Sequence, residues 1–273
     1  MFFSKFILFP KRLPQHLKTQ RSSMDVFDSM GQFVDGLKFS GGSQSLMPES
    51  YIKKVTDMAH SHNVIPALVI GVSTCSERSI CSEHYIEECK RLGFDTIELD
   101  AGSLEIPEET LLRYVYMIKG AGLKVKPQFA VKFDKSDIPL SGDRAFGAYV
   151  VPRPGLMVFE NSYFVEDVDL LIRKAERCLE AGADMIMIDA ENVCRRAESL
   201  RSDIIAKIIG RLGVEKTMFD AADARTADWF ISQYGPKVNL FVDHSLVIDL
   251  ECLRGRKVGK NHMSVLSSAY RLL

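Results

Sequence analysis

Short apolar runs in this chain end, one after another, in a charged residue just ahead of a turn or helix. They are Val34-Asp-Gly-Leu-Lys38, Asp95-Thr-Ile-Glu-Leu-Asp100, Pro127-Gln-Phe-Ala-Val-Lys132, Met185-Ile-Met-Ile-Asp189, Lys216-Thr-Met-Phe-Asp220 and Val238-Asn-Leu-Phe-Val-Asp243. An ordinary core strand has no need of a charge at the same end every time. A parallel barrel does, because the carboxyl ends of its strands converge on one mouth where reacting groups are placed. Lys38, Asp100, Lys132, Asp189, Asp220 and Asp243 are therefore expected to ring a single site. The competing reading for each aspartate is a cap on the helix that follows, a role that lysine does not fill.

Amphipathic stretches separate the runs, the pattern of a parallel sheet covered by helices. Helices are expected from about Pro48 to His62, Ser82 to Leu92, Pro107 to Gly120, Val165 to Ala181, Arg195 to Leu212 and Thr226 to Tyr234. Gly93, Gly182, Gly213 and Gly235 stand at the stops. Strands are expected at Val34–Phe39, Val64–Val72, Phe94–Asp100, Leu123–Lys132, Met185–Asp189, Lys216–Asp220 and Val238–Asp243. With 273 residues, 46% of them hydrophobic, the chain can bury a core of (β/α)8 size. The expected fold is therefore an α/β TIM-type barrel. Its eighth strand should precede Asp25, where Phe2–Phe9 could serve but reads poorly as a barrel strand, so the barrel is expected either to take that segment or to lack its first strand. The long Gly- and Pro-bearing segment from Phe133 to Glu160 follows the strand ending at Lys132, as a lid or binding loop would.

A net charge of -1, with both signs mixed along the chain, gives no field of one sign to draw in nucleic acid or anionic lipid. Cys75, Cys81, Cys89, Cys178, Cys194 and Cys252 form no Cys-x-x-Cys pair, and His60, His62, His84, His244 and His262 form no His-x3-His pair. That spacing argues against structural zinc and for free thiols in a reducing compartment. Residues 1–24 read as a basic leader, disordered or targeting, ahead of a barrel domain over 25–273. Met1–Ser23 carries Lys5, Lys11, Arg12, Lys18 and Arg21 but no acid, as mitochondrial and plastid transit peptides do. Its apolar part, Phe6–Phe9, is too short to span a membrane. The expected location is the cytoplasm, with an organelle reached through this leader as the alternative.

Side chains two apart on a strand share a face. Glu98 and Asp100 then point together, with Ile97 and Leu99 turned toward the helices. Gln128, Ala130 and Lys132 form another row, Gly36 lies below Lys38, and Met218 lies below Asp220. Several carboxylates on one mouth suit a hard, oxygen-seeking cation, most simply Mg2+. Glu98, Asp100, Asp189 and Asp220 are the candidate ligands. Lys38 and Lys132 suit a phosphate or carboxylate on a substrate, or proton transfer. Together such groups stabilise an enolate. Gly41, Gly42 and Ser43 offer backbone N–H groups to a phosphate. A Schiff-base aldolase is a competing use of Lys132.

The stretches Lys38-Phe-Ser-Gly-Gly-Ser43, Leu92-Gly-Phe-Asp-Thr-Ile-Glu98, Ala181-Gly-Ala-Asp-Met-Ile-Met-Ile-Asp189 and Trp229 to Leu240 resemble the phosphosulfolactate synthase family. Asp143-Arg-Ala-Phe-Gly-Ala-Tyr149, Glu166 to Ile172 and Leu250 to Gly255 are similar to its plant heat-stress-associated branch. The resemblance covers roughly Asp25 to Leu273. It implies a TIM-type barrel and Mg2+-dependent addition of sulfite to phosphoenolpyruvate. Lys38 and Lys132 would then meet substrate or deliver the proton, and Glu98, Asp189 and Asp220 would hold the metal or support its ligands. The chain departs from the family's pattern at Asp189 and Asp220, where other members carry glutamate, and at Thr74-Cys-Ser-Glu-Arg78. The branch also implies a part in acquired heat tolerance. A non-catalytic stress-response barrel acting through protein partners or ligand binding therefore stands beside the enzyme.

Overall fold

The computed structural model describes residues 5–8, 27–28, 31–39, 46–71, 83–101, 106–130, 168–189, 202–221 and 223–255. Eight parallel strands close into a barrel: β1 (Lys5–Leu8), β2 (Gly36–Phe39), β3 (Ile65–Gly71), β4 (Thr96–Asp100), β5 (Lys124–Ala130), β6 (Ile186–Asp189), β7 (Thr217–Asp220) and β8 (Asn239–Val242). Each pairs with its neighbour in sequence, and β1 closes the circle against β8. The strand that the sequence did not supply in recognisable form is thus Lys5–Leu8, inside the basic stretch expected as a leader. Phe6 lies in register with Gly36 on one side and Phe241 on the other. Four residues suffice because backbone pairing on both edges, rather than strand length, fixes the register.

The helices are α1 (Glu49–Ser61), α2 (Glu83–Arg91), α3 (Glu108–Gly120), α4 (Val168–Glu180), α5 (Ser202–Leu212) and α6 (Ala224–Tyr234), with α7 over 247–255. Their bounds fall within the expected ranges, apart from the first turn of α6 and the whole of α7, which the sequence did not announce. In α4 the inner face is Leu171, Ile172, Ala175 and Cys178, all buried at the 3–4 spacing that a helix on a sheet requires. Gly93 ends the loop after α2 at φ 87°, and a Cβ there would stand 2.7 Å from Thr56 Oγ1. That hydroxyl donates to Leu92 O at 2.8 Å, so the glycine lets the loop close onto α1.

Alternation sorts the core into two compartments. Leu37, Phe39, Leu68, Ile70, Ile97, Leu99, Val125, Phe129, Ile186, Ile188 and Phe219 face outward and pack against the helices. Inside the barrel a smaller apolar cluster holds Ala67, Met187, Met218 and Phe241. Among the other inward positions stand Lys38, Glu98, Lys126, Asp100, Asp189 and Asp220, and these charged residues make the site.

Candidate functional site

Three buried ionic side chains occupy the barrel interior beneath the carboxyl mouth. Glu98, the middle residue of β4, has no exposed surface. Its Oε1 is ion-paired with Lys38 Nζ and its Oε2 lies 3.0 Å from Lys126 Nζ. Register explains both contacts. Lys126 stands directly across from Glu98 on the adjoining strand. Lys38 must reach past β3, and the residue in register with it there is Ala67, which leaves room for the lysine stem. Lys38 Nζ also donates to Gln128 Oε1 at 3.3 Å and sits 4.5 Å from the centre of the Phe241 ring. Lys126 Nζ approaches Met218 Sδ at 3.6 Å.

Burial alone would push the Glu98 carboxyl upward, but the charges of Lys126 and Lys38 outweigh it and hold the group below its ordinary value. Lys126 is shifted down, first by burial and then by the like charge of Lys38, with Glu98 opposing. One layer higher, Asp100, Asp189 and Asp220 end their strands, each part-buried. Burial, then the charge of Asp189, raises Asp220 to about 6, while Lys38 works the other way.

Of the residues expected at the mouth, Lys38, Glu98, Asp100, Asp189 and Asp220 stand on inward rows of β2, β4, β6 and β7. Lys132, Gly41, Gly42 and Ser43 lie outside the described residues, as does the whole Phe133–Glu160 segment. Asp243 is a cap: its Oδ1 accepts from Ser245 N at 2.9 Å. Trp229 packs edge-on against Phe230. The interior lysine that sequence reasoning missed is Lys126. It lies two residues before Gln128, on the same inward row, and continuing that row toward the amino end would have found it.

The donor set divides when tested against a hard cation. Glu98 does not fit, because each of its oxygens already faces an ammonium. Asp189 and Asp220 fit better: the charge of Asp189 raises the cost of ionising Asp220, which a divalent ion held by the two would relieve. Among the described residues no three His, Cys, Asp or Glu side chains gather into a metal-holding group. No helix among them is long and apolar enough to cross a membrane.

Fold and site together define a TIM-type barrel with lysines and carboxylates at its carboxyl side. The family described as (2R)-phospho-3-sulfolactate synthase (ComA) matches residues 16–260, and the chain belongs to that family. Protein HEAT-STRESS-ASSOCIATED 32 of Arabidopsis thaliana is 62% identical over 259 residues, spanning 93% of this chain and 87% of that protein. A phosphosulfolactate synthase of Methanothermobacter thermautotrophicus is 24% identical over 225 residues, 80% of this chain and 77% of its own. Among solved structures, 3-hexulose-6-phosphate synthase from Salmonella typhimurium superposes with a TM-score of 0.56 at 9% identity, covering 93% of this chain and 99% of that one. At that identity the likeness speaks for the fold alone.

Proposed function

We propose that this barrel binds phosphoenolpyruvate or a similar phosphorylated carboxylic acid at its mouth and retains Mg2+-dependent addition chemistry on it. The observation that carries the reading is the inward row itself. Lys38 stands below a carboxylate pair, Asp189 and Asp220, at the end of the barrel where such folds place their chemistry. Asp189 and Asp220, with Asp100 beside them, would hold the ion, which supplies positive charge to a developing enolate. Lys38 holds the anionic end of the substrate, and Lys132, by its resemblance to the family, delivers the proton. Gly41, Gly42 and Ser43 take the phosphate. The catalogue of groups matches what sulfite addition requires: an anion clamp, a charge sink and a proton donor.

The likeness to HEAT-STRESS-ASSOCIATED 32 supports placing this activity in heat stress and acquired thermotolerance. It also supports a second reading, a stress-response barrel that binds a ligand or protein partners without turnover. Cytoplasmic residence is the simpler location, with organelle import through the basic amino-terminal stretch as the alternative. Calorimetric titration with phosphoenolpyruvate and Mg2+, beside a Lys132→Ala variant, separates these readings. Heat that needs both the metal and Lys132 is the expected result, followed by an assay of sulfite addition. Absence of heat in a folded protein removes the synthase reading and leaves the non-catalytic stress role.

A further inference from the structure

A lysine buried in a barrel interior demands a reason. Such positions are ordinarily filled by branched apolar side chains, and an ammonium withdrawn from water costs several kcal/mol unless something compensates it. Lys126 is 3% exposed and pairs with Glu98, which is itself 0% exposed and already engaged by Lys38. One carboxylate therefore serves two ammoniums. Either lysine alone would neutralise it. With both present, the trio carries one positive charge in excess.

The placement of that excess is the informative part. Lys126 Nζ is boxed in by Glu98 and by Met218 Sδ, a member of the interior apolar cluster. Lys38 Nζ instead meets Glu98, Gln128 Oε1 and the face of Phe241. Gln128 is the next inward residue after Lys126 toward the carboxyl end of β5, so its hydrogen bond holds Lys38 on the mouth side of Lys126. Asp220, at the top of β7, already feels the Lys38 charge.

We propose that Lys126 is a positioning residue: by sharing Glu98 it keeps that carboxylate from cancelling Lys38, whose charge is thereby left for an anionic ligand at the mouth. This rests on the reading of the mouth as an anion site. Lys126 touches no ligand itself; it acts through Glu98. A purely structural Lys126, present only to compensate a buried glutamate, makes different predictions for the same variants.

The test is titration calorimetry with two probes, phosphoenolpyruvate and inorganic phosphate, on four proteins whose folding is checked by thermal unfolding. Lys126→Met leaves Lys38 and Glu98 as a neutral pair, and anion affinity is expected to fall about tenfold, the scale of one unit charge roughly 12 Å away at an effective dielectric of about 20. Lys126→Arg keeps the charge and should retain affinity within about threefold. The double variant Lys126→Met with Glu98→Gln removes the competitor along with the helper, and affinity should return to within about threefold of wild type. The fall in affinity of a single variant that unfolds at the wild-type temperature is the decisive arm, because a lysine that only compensates Glu98 shows its loss in thermal unfolding rather than in anion affinity; recovery in the double variant then assigns the effect to the Glu98 charge. Where Lys126→Met does not fold, Lys126→Gln takes its place. Unchanged affinity in the single variant, or no recovery in the folded double variant, overturns the proposal. Wild-type binding of phosphate but not phosphoenolpyruvate sinks the substrate reading and leaves the four-protein comparison intact on phosphate. Wild type that binds neither probe overturns both.

Discussion

At the amino end of the barrel the guanidinium of Arg254, buried like Lys126, donates to Val238 O at 2.8 Å, with Glu251 and Asp35 supplying opposing charge. Halfway up the same barrel, Lys38, Glu98 and Lys126 satisfy their charges chiefly by meeting one another. The two arrangements differ in what they fasten. Arg254 ties α7 to the residue that leads into β8, so its hydrogen bond joins two elements of the fold. The lysine–glutamate–lysine group joins β2, β4 and β5, strands that the backbone ladder has already assembled. A buried charge bonded across two elements serves the fold; on the proposal above, a buried charge group within strands already assembled serves a ligand instead.

The comparison breaks most visibly at Glu98. Glu98→Ala leaves two ammoniums buried without their shared carboxylate, and loss of about 3–5 kcal/mol is expected. Urea unfolding would measure it. A loss under about 1 kcal/mol would mean that water or a rearranged Asp220 readily takes the place of Glu98, and that the group is less closed than its burial implies.

Asp220 offers the next largest effect, with a defined pH signature. Its carboxyl is raised from 3.8 to about 6 in the folded protein, by burial first and by Asp189 second. The sign follows from linkage. Below the unfolded value both states hold the proton and no penalty exists. As pH rises toward about 6 the unfolded chain releases its proton while the folded one keeps it, and stability is lost across that window. Asp220→Asn should therefore be more stable than wild type at neutral pH, by at most about 3 kcal/mol in chelator, with the difference vanishing near pH ~4. Added Mg2+ should stabilise wild type and leave the variant unmoved. An equal gain at both pH values would show that Asp220 carries no such penalty.

Much of this was legible in the sequence. A strand covered on both faces is written as a near-continuous apolar run, and Val64–Val72 contains β3 for that reason. The period of two placed Ile97 and Leu99 outward and Glu98 inward, as observed. What stayed hidden shares one cause: a charged residue where pattern reading expects an apolar one. On α7, Val247, Leu250 and Arg254 fall on one buried face, and the arginine disguises the helical stripe. Lys126 is disguised in the same way among the barrel's inward positions. For β1, the three apolar residues Phe6, Ile7 and Leu8 sit in a basic stretch that lies ahead of the family match, and only pairing with β2 and β8 identifies them. Asp243 shows the converse. Its place at a strand end suggested chemistry, yet its oxygen is committed to Ser245 N, and no sequence pattern separates such a cap from a ligand.

Arg254 then supplies the smaller effect that sharpens the contrast. Arg254→Leu replaces a buried guanidinium by a side chain that α7 can pack against β8 at no desolvation cost. What is lost is the charged hydrogen bond to Val238 O and the partner of Glu251, together worth about 2 kcal/mol. The Glu251 side chain keeps 23% of its surface exposed, against none for Glu98, which keeps the loss below that at Glu98. Since Arg254 lies at the end of the barrel away from Asp189 and Asp220, phosphoenolpyruvate titration should return the wild-type affinity in this variant. A variant that unfolds more easily and also binds more weakly would show that α7 communicates with the mouth, and the division between charges that hold the fold and charges that face a ligand would have to be redrawn along the helix shell.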